Sequence, residues 1–510
     1  MTDTRKSIII IGSGFGGLSA AIRLAAAGHR VQVFEKRDKP GGRAYEYEVD
    51  GFRFDGGPTV ITAPYLFDEL YALAGKRRED HLEFLPIDPF YRIFDESGRI
   101  FNHWHDHRMA EEEVARFSPG ATTGYRRFLK DTEYIFRNFH PYTERHFLQF
   151  SRMLRILPFM FSTGTWMPMY YYAARYVKDD FLRKVLSFHP LLIGGNPYST
   201  PAIYSLIIEF EREWGIHYAR GGTGAIVRAL SGLFQDLGGR LTLNAEVQEI
   251  VVEDRRAKGV RLADGSVHLA DTVICNGDAA YAWKNLISKQ HRSPALNFYI
   301  EHQQYSNSLV VLYFGTNRRY NDSKLAHHNL IFGSDYRKLM RDVFRRKKLG
   351  SDMMLYLHVP TLTDSGMAPD GCESFYVLSI VPHLDAQVDW GAINDVYCNG
   401  ILEYLESRMI PDLRKHIVVR KNINPLHFRD TLNSYKGAAF ASHPSLMQSG
   451  WARLHNRSSI IQNLYFVGAG THPGAGVPAV IASGKIAAEL IDPEITALTT
   501  RANSVSKSFA

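Results

Sequence analysis

Three cysteines in 510 residues, Cys275, Cys372 and Cys398, lie far apart and form no CxxC pair. That scarcity excludes a disulfide framework and a cysteine-based zinc site, and it suits a reducing cytoplasm. Charge of either sign is in short excess: 60 Lys+Arg against 53 Asp+Glu leave +7. No basic block or zinc-finger spacing accompanies it, so nucleic acid is not an expected partner, while an anionic membrane surface suits a mild positive balance. The chain has no Walker loop, no nucleophile elbow and no HExxH, and "GGTGAIV" at 221–227 lacks the Gly-Lys-Ser/Thr ending of a phosphate loop. No apolar run is long and uninterrupted enough to read as a membrane span. The short strand after "MTDTRKS" has neither the length of a signal h-region nor a small-residue cleavage site, so export is not expected.

Glycine is what the chain spends freely, and in particular places. "SIIIIGSGFGGLSAAIRLAAAGHRVQVFEKR" predicts an apolar strand (Ile8–Ile11), a glycine turn, a helix to about Ala27 and a second strand (Val31–Glu35). Continuous apolar strands joined by a crossover helix belong to a parallel sheet covered on both faces. Gly12-Ser13-Gly14-Phe15-Gly16-Gly17 fits G-x-G-x-x-G between strand and helix. Gly12 permits the tight turn, Gly14 lets backbone approach a pyrophosphate, Gly17 lets the helix pack on the sheet, and the helix N-terminus faces the phosphates. Glu35, followed by Lys36, is placed to accept hydrogen bonds from a ribose 2′-hydroxyl, which favours FAD or NAD over NADP. Gly41-Gly42-Arg43 and Asp55-Gly56-Gly57-Pro58-Thr59 follow where an NAD domain continues with βα units. These extra turns point to a bulkier cofactor, FAD, with Arg43 as a forked donor to pyrophosphate charge.

A second ordered block spans 221–278: a helix closed by Gly238-Gly239, a strand, a hairpin at Asp264-Gly265 and a strand Thr272–Cys275. The third, "NLYFVGAGTHPGAGVPAVIASGKIAAELI", is strand, glycine turn and helix. At 510 residues two domains are expected. The predicted fold class is α/β: a Rossmann-type FAD-binding domain (1–75, 216–289 and 426–492) with a mixed α+β substrate domain formed by two insertions (76–215 and 290–425). The polar end, 493–510, is expected to be a flexible tail.

The run from Gly12 to Asp55 resembles the FAD-dependent amine oxidase and carotenoid desaturase superfamily. "SFHPLLIGGNPYSTPAIYSLI" (187–207), "EREWGIHYARGGTGAIVRAL" (211–230), "SNSLVVLYFG" (306–315) and "NLYFVGAGTHPGAGVPAVIASGK" (463–485) narrow the resemblance to the bacterial phytoene desaturases, over about residues 7–491. The resemblance implies FAD as cofactor and phytoene and longer conjugated carotenoids as substrates. Each desaturation removes a hydride and a proton, leading to lycopene or to neurosporene or zeta-carotene intermediates. It also places the strand at Val247 near the adenine. Gly468, Gly470 and Gly476 would let backbone pass the flavin, and the helix from Val477-Pro478 would aim its amides at negative charge on the reduced ring. Related activities remain open: an isomerase, a ketolase, a desaturase of another polyene, or a flavin-free prenyl-lipid escort. The complete glycine set argues against the escort.

Acid–base candidates are Arg155, Glu209 and His443, with Glu211 beside Glu209. "FLQFSRMLRILPFMFSTGTWMPMYYYAARYV" (147–177) is aromatic and Met-rich but broken by Pro158, Gly164 and Pro168. It reads as an interfacial element, peripheral to the inner face of the membrane, rather than a span. "HWHDH" (103–107) puts three histidines on one face of an extended strand, but without matching carboxylates it reads as a solvated hairpin end, and no metal is expected. With no second NAD-type fingerprint, quinone or oxygen is the expected electron acceptor. A homo-oligomer is compatible with the sequence.

Overall fold

The computed structural model describes residues 5–321 and 324–507, with side chains through 502. A five-stranded parallel sheet organises the nucleotide half, in the order Leu464–Phe466, Thr272–Cys275, Ser7–Ile11, Arg30–Phe34, Arg240–Thr242. Ser7–Ile11 is the central strand, and Ile8 and Ile10 on one face and Ile9 and Ile11 on the other are all buried, which is why no polar alternation marks it. Helices Phe15–Ala26 and Val477–Ile491 pack against each other over one face. Their seam is small: Ser19 Oγ donates to the Ile481 carbonyl at 2.8 Å. A three-stranded antiparallel unit (Val247–Glu253, Arg256–Leu262, Val267–Leu269) turns at Asp264-Gly265, where Asp264 accepts from the Ser266 amide.

The second half is built on a seven-stranded sheet: Ile417–Ile423, Ser308–Thr316, Glu373–Val381, Leu355–His358, His328–Ile331, Tyr91–Phe94, Ile100–His103. Its last two strands come from the first long stretch between nucleotide segments and the other five from the second. They meet through a parallel pairing of Ile331 with Phe94. Helices from 107–214 pack against this sheet and add Tyr125, Phe128, Tyr172 and Phe181 to its aromatic core.

Two local expectations change, and a third element takes definite form. Residues Glu494–Lys507 form a helix instead of a flexible tail, because Ile495 and Thr499 are buried and the helix packs on Tyr65–Leu73. In "HWHDH" only His103 ends a strand and turns inward. His105 and His107 are exposed, and His107 opens the helix His107–Phe117, capped by Asp106 Oδ1 on the Met109 amide at 2.9 Å. The three rings therefore share no face. The stretch 147–177 becomes two helices, Phe150–Thr163 and Met169–Ala173, the first ending at Gly164 with φ +75°.

Candidate active site

One cavity of about 430 Å³ runs between the two halves, within the ~300–1,000 Å³ of small-molecule sites. Its nucleotide end is made of glycine backbone. A Cβ on Gly17 would sit 2.3 Å from the Gly12 carbonyl oxygen, so the helix Phe15–Ala26 reaches the sheet only without a side chain there. Asn276, after the strand Thr272–Cys275, locks the turn by donating to the Gly12 carbonyl at 3.2 Å. Gly56 and Gly57 answer a different need. A Cβ on them would lie 2.3 Å from the Tyr45 carbonyl oxygen and 2.5 Å from that of Arg43. That glycine pair is thus required by chain packing on chain, not by a ligand alone.

Two helix N-termini open on this cavity. Neither Phe15–Ala26 nor Val477–Ile491 has a side-chain cap or an acid in its first turn, leaving amides and the positive dipole end for an anionic or electron-rich group. On the wall of the same cavity Arg43 donates to the Ala439 carbonyl and to Ser434 Oγ, both at 2.8 Å. Burial lowers its pKa, opposed by Asp278, and burial raises the pKa of Asp278 in turn. These features fit FAD: the first helix N-terminus would hold its phosphates, and the Gly468–Val477 turn would lie against its ring. Bound there, FAD supplies a two-electron acceptor.

Of the residues proposed from sequence for the cofactor, Gly14, Phe15, Gly16, Gly42, Arg43, Gly56, Gly57, Pro58, Thr59, Gly468, Gly470, Gly476 and Val477 line the cavity. Gly12, Ser13, Gly17, Glu35, Lys36 and Val247 stand behind the wall. Glu35 Oε2 accepts from the Ser13 amide at 2.9 Å and hydroxyl at 2.7 Å, and Oε1 from the Arg37 amide at 3.0 Å. Glu35 thereby braces the glycine turn. Lys36 donates to Asn433, and Val247 is buried at the start of its strand. Sequence reading missed the braces of the last turn. Arg453, buried, donates to the Ala469 carbonyl, and Asn456 Nδ2 to the His472 carbonyl at 2.9 Å. Asp55 accepts from the amide and hydroxyl of Thr223, both at 2.7 Å, tying the loop to the helix Gly222–Asp236. None of these has a motif: Arg453 and Asn456 each reach 16 residues along the chain and Asp55 reaches 168, at no spacing that recurs.

Beyond the glycines the cavity is apolar, walled by residues such as Leu191, Ile203, Leu309, Val311, Met354 and Ile380. The three acid–base candidates lie off its wall. Arg155 is exposed on the helix Phe150–Thr163. Glu209 is held by Arg212 at 2.6 and 2.7 Å and by Thr132 at 2.6 Å. Burial pushes its pKa up, opposed by Arg212. His443 accepts the Asn196 amide at 3.2 Å, and burial takes it down to about 3. Glu211 instead reaches the cavity. It accepts from the Tyr91 hydroxyl at 2.7 Å and lies 3.1 Å from His189 Nε2. Thr59 and Tyr356 form a polar pair on the wall, their hydroxyls 2.5 Å apart, as do Tyr204 with Ser449, Tyr65 with Glu144 and Tyr47 with His427.

Residues 15–492 match the family of flavin-containing amine oxidoreductases. The phytoene desaturase (lycopene-forming) of Pantoea ananas is 46% identical over 488 residues, 95% of this chain and 99% of that protein. The phytoene desaturase (neurosporene-forming) of Cereibacter sphaeroides is 41% identical, over 94% of each chain. Among solved structures, a redesigned putrescine oxidase superposes with a TM-score of 0.66 at 14% identity, over 96% of this chain and 99% of that one. An oxidoreductase from Methanosarcina mazei gives 0.60 at 18% identity, over 94% and 99%. Both support the fold alone. A glycine-built FAD cradle opening into an apolar cavity, with matches that run nearly end to end, sets the identity: the chain belongs to the flavin-containing amine oxidoreductases and, within them, to the bacterial phytoene desaturases, FAD-dependent oxidoreductases.

Proposed function

We propose that this protein desaturates phytoene, at a membrane surface, to lycopene or neurosporene. The observation that carries the reading is the continuity of one cavity from the FAD cradle into a long apolar wall. A hydrocarbon offers no polar handle, so shape, exclusion of water and burial must position it. The chain's own contribution is that positioning, together with polar groups on the wall, Glu211 and the Thr59–Tyr356 pair, near which a proton leaving carbon has somewhere to go.

The membrane part of the proposal draws on the outer surface. Phe150, Leu154 and Phe161 on one helix, then Trp166, are 47–66% exposed, and Phe150 packs edge-on to Trp451 with centroids 5.0 Å apart. Ser449 and Gly450, just before Trp451, line the cavity, as does Phe147, just before the helix. The apolar surface therefore rims the end of the cavity. Arg337 donates to the exposed Tyr171 hydroxyl at 3.1 Å, and the exposed Arg341, Arg345, Arg346 and Lys348 follow, a basic flank suited to an anionic leaflet. Among the described residues no helix is long and apolar enough to cross a membrane. We place the protein on the cytoplasmic face, with quinone or oxygen as electron acceptor.

Expression in phytoene-accumulating bacteria tests the reading. The expected result is coloured polyenes whose mass falls by two hydrogens for each added double bond. Colourless cells containing soluble, FAD-loaded protein would refute it.

A further inference from the structure

His327 leads into the strand His328–Ile331, and His358 ends the strand Leu355–His358. The strands run antiparallel with His328 directly opposite His358, so the two rings share a face of the sheet, and Tyr356, two residues before His358, joins them. Two rings are held from behind. His327 Nδ1 is 2.7 Å from Thr363 Oγ1, and His328 Nδ1 is 2.6 Å from the Tyr356 hydroxyl. The far nitrogens are another matter. Nε2 of His327, Nε2 of His328 and both nitrogens of His358 have no hydrogen-bond partner among the described residues. One nitrogen from each ring lies within 4.8 Å of the other two. The residues are 5%, 0% and 1% exposed, out of reach of bulk water.

Buried polar atoms without partners are rare, and several converging on one point call for a shared partner. One proton cannot bridge three nitrogens spread over up to 4.8 Å. A metal ion can, taking a lone pair from each ring at the nitrogen left without a partner. A second hydrogen bond on the outer nitrogen is what usually fixes the tautomer and aim of a ligating histidine. Asp55 adds a carboxylate 3.8 Å from His358 Nε2 while remaining bonded to Tyr218 and Thr223.

We propose that His327, His328 and His358 bind one divalent first-row transition ion of the imidazole-preferring class, with Zn²⁺ as the probe. The ion is structural: it stands behind the cavity wall, linked to it through His328, Tyr356 and Thr59. It fastens the strands His328–Ile331 and Leu355–His358 beside Asp55 and Tyr218, which belong to the nucleotide half. Zinc–nitrogen bonds of ~2.0–2.1 Å require the three nitrogens to draw in to ~3.3 Å, a movement of up to roughly 0.9 Å for each side chain.

The test uses the purified, FAD-loaded protein from zinc-supplemented cells, with metal measured by mass spectrometry and flavin by absorbance. The expectation is about one zinc per chain, and an absorption-edge spectrum with three nitrogen neighbours at ~2.0–2.1 Å. His328→Gln and His358→Gln should lower zinc at least ~10-fold while flavin content is kept, a ratio that corresponds to ~1.4 kcal/mol or more of binding. Wild-type protein carrying no first-row ion overturns the proposal, as does zinc retained by either folded variant. Should both variants fail to fold, the wild-type spectrum decides: a shell without three imidazoles overturns it.

Discussion

Gly16 and Gly468, from opposite ends of the chain, meet with no room for a side chain between them. A Cβ on Gly16 would lie 3.1 Å from the Gly468 backbone nitrogen and 3.1 Å from the Val480 carbonyl oxygen. Gly468 N is itself anchored, donating to Ser483 Oγ at 2.8 Å. Two helix N-termini are thereby brought to one cofactor.

Gly16→Ala is expected to push these ends apart, costing ~1–3 kcal/mol by overpacking and most of the bound flavin. Gly120→Ala, where nothing lies within 4 Å of the added atom, is the control. Visible flavin absorbance of the purified proteins measures the difference. Equal occupancy in the two would show that the seam is not strained.

Arg43→Met should weaken FAD retention roughly 10- to 100-fold, the range for hydrogen bonds to a charged group of ~1.5–3 kcal/mol. Arg43→Lys keeps charge but loses the fork, so it should fall between. Flavin release followed by fluorescence during dialysis ranks the three proteins.

Phe161→Asp with Leu154→Asp removes two exposed apolar side chains and adds two charges. Burying one such side chain contributes ~1.5–3 kcal/mol, so flotation with anionic vesicles should drop at least ~10-fold. FAD content should not change, because both residues face away from the cavity.

Glu211→Ala leaves the Tyr91 hydroxyl and His189 Nε2 buried without their carboxylate. Each orphaned group costs ~1–3 kcal/mol, measurable as a lower urea midpoint. Glu211→Gln retains an acceptor for Tyr91 and should destabilise less.

Burial takes the His443 and His472 imidazoles down to about 3. An unfolded histidine titrates near ~6.5, so the fold keeps neutral what the unfolded chain protonates. Stability from these groups is fully present above pH ~6.5 and is lost as pH falls toward 3, by up to about 1.4 kcal/mol per pH unit for each ring. Denaturation midpoints across this acid range should fall steadily, and His443→Gln should make the slope shallower. An unchanged slope would remove His443 from the account.

The cofactor half was legible because glycine has no side chain: where backbone must touch backbone or phosphate, the requirement is written as a letter at a fixed offset from a strand end. Length, apolar strand runs and the two glycine-rich ends by themselves determined the fold class and the cofactor, and residues of both ends line one cavity. Tertiary structure alone decided which side chains face the cavity. Glu209 and Glu211 sit two residues apart on one helix, roughly 200° around its axis, so one pairs with Arg212 and the other reaches the wall. Only strand register could bring His328 opposite His358, and only a buried Ile495 turns an unremarkable polar tail into a helix. Direction around a helix and register between strands depend on what packs against them, and that partner lies elsewhere in the chain.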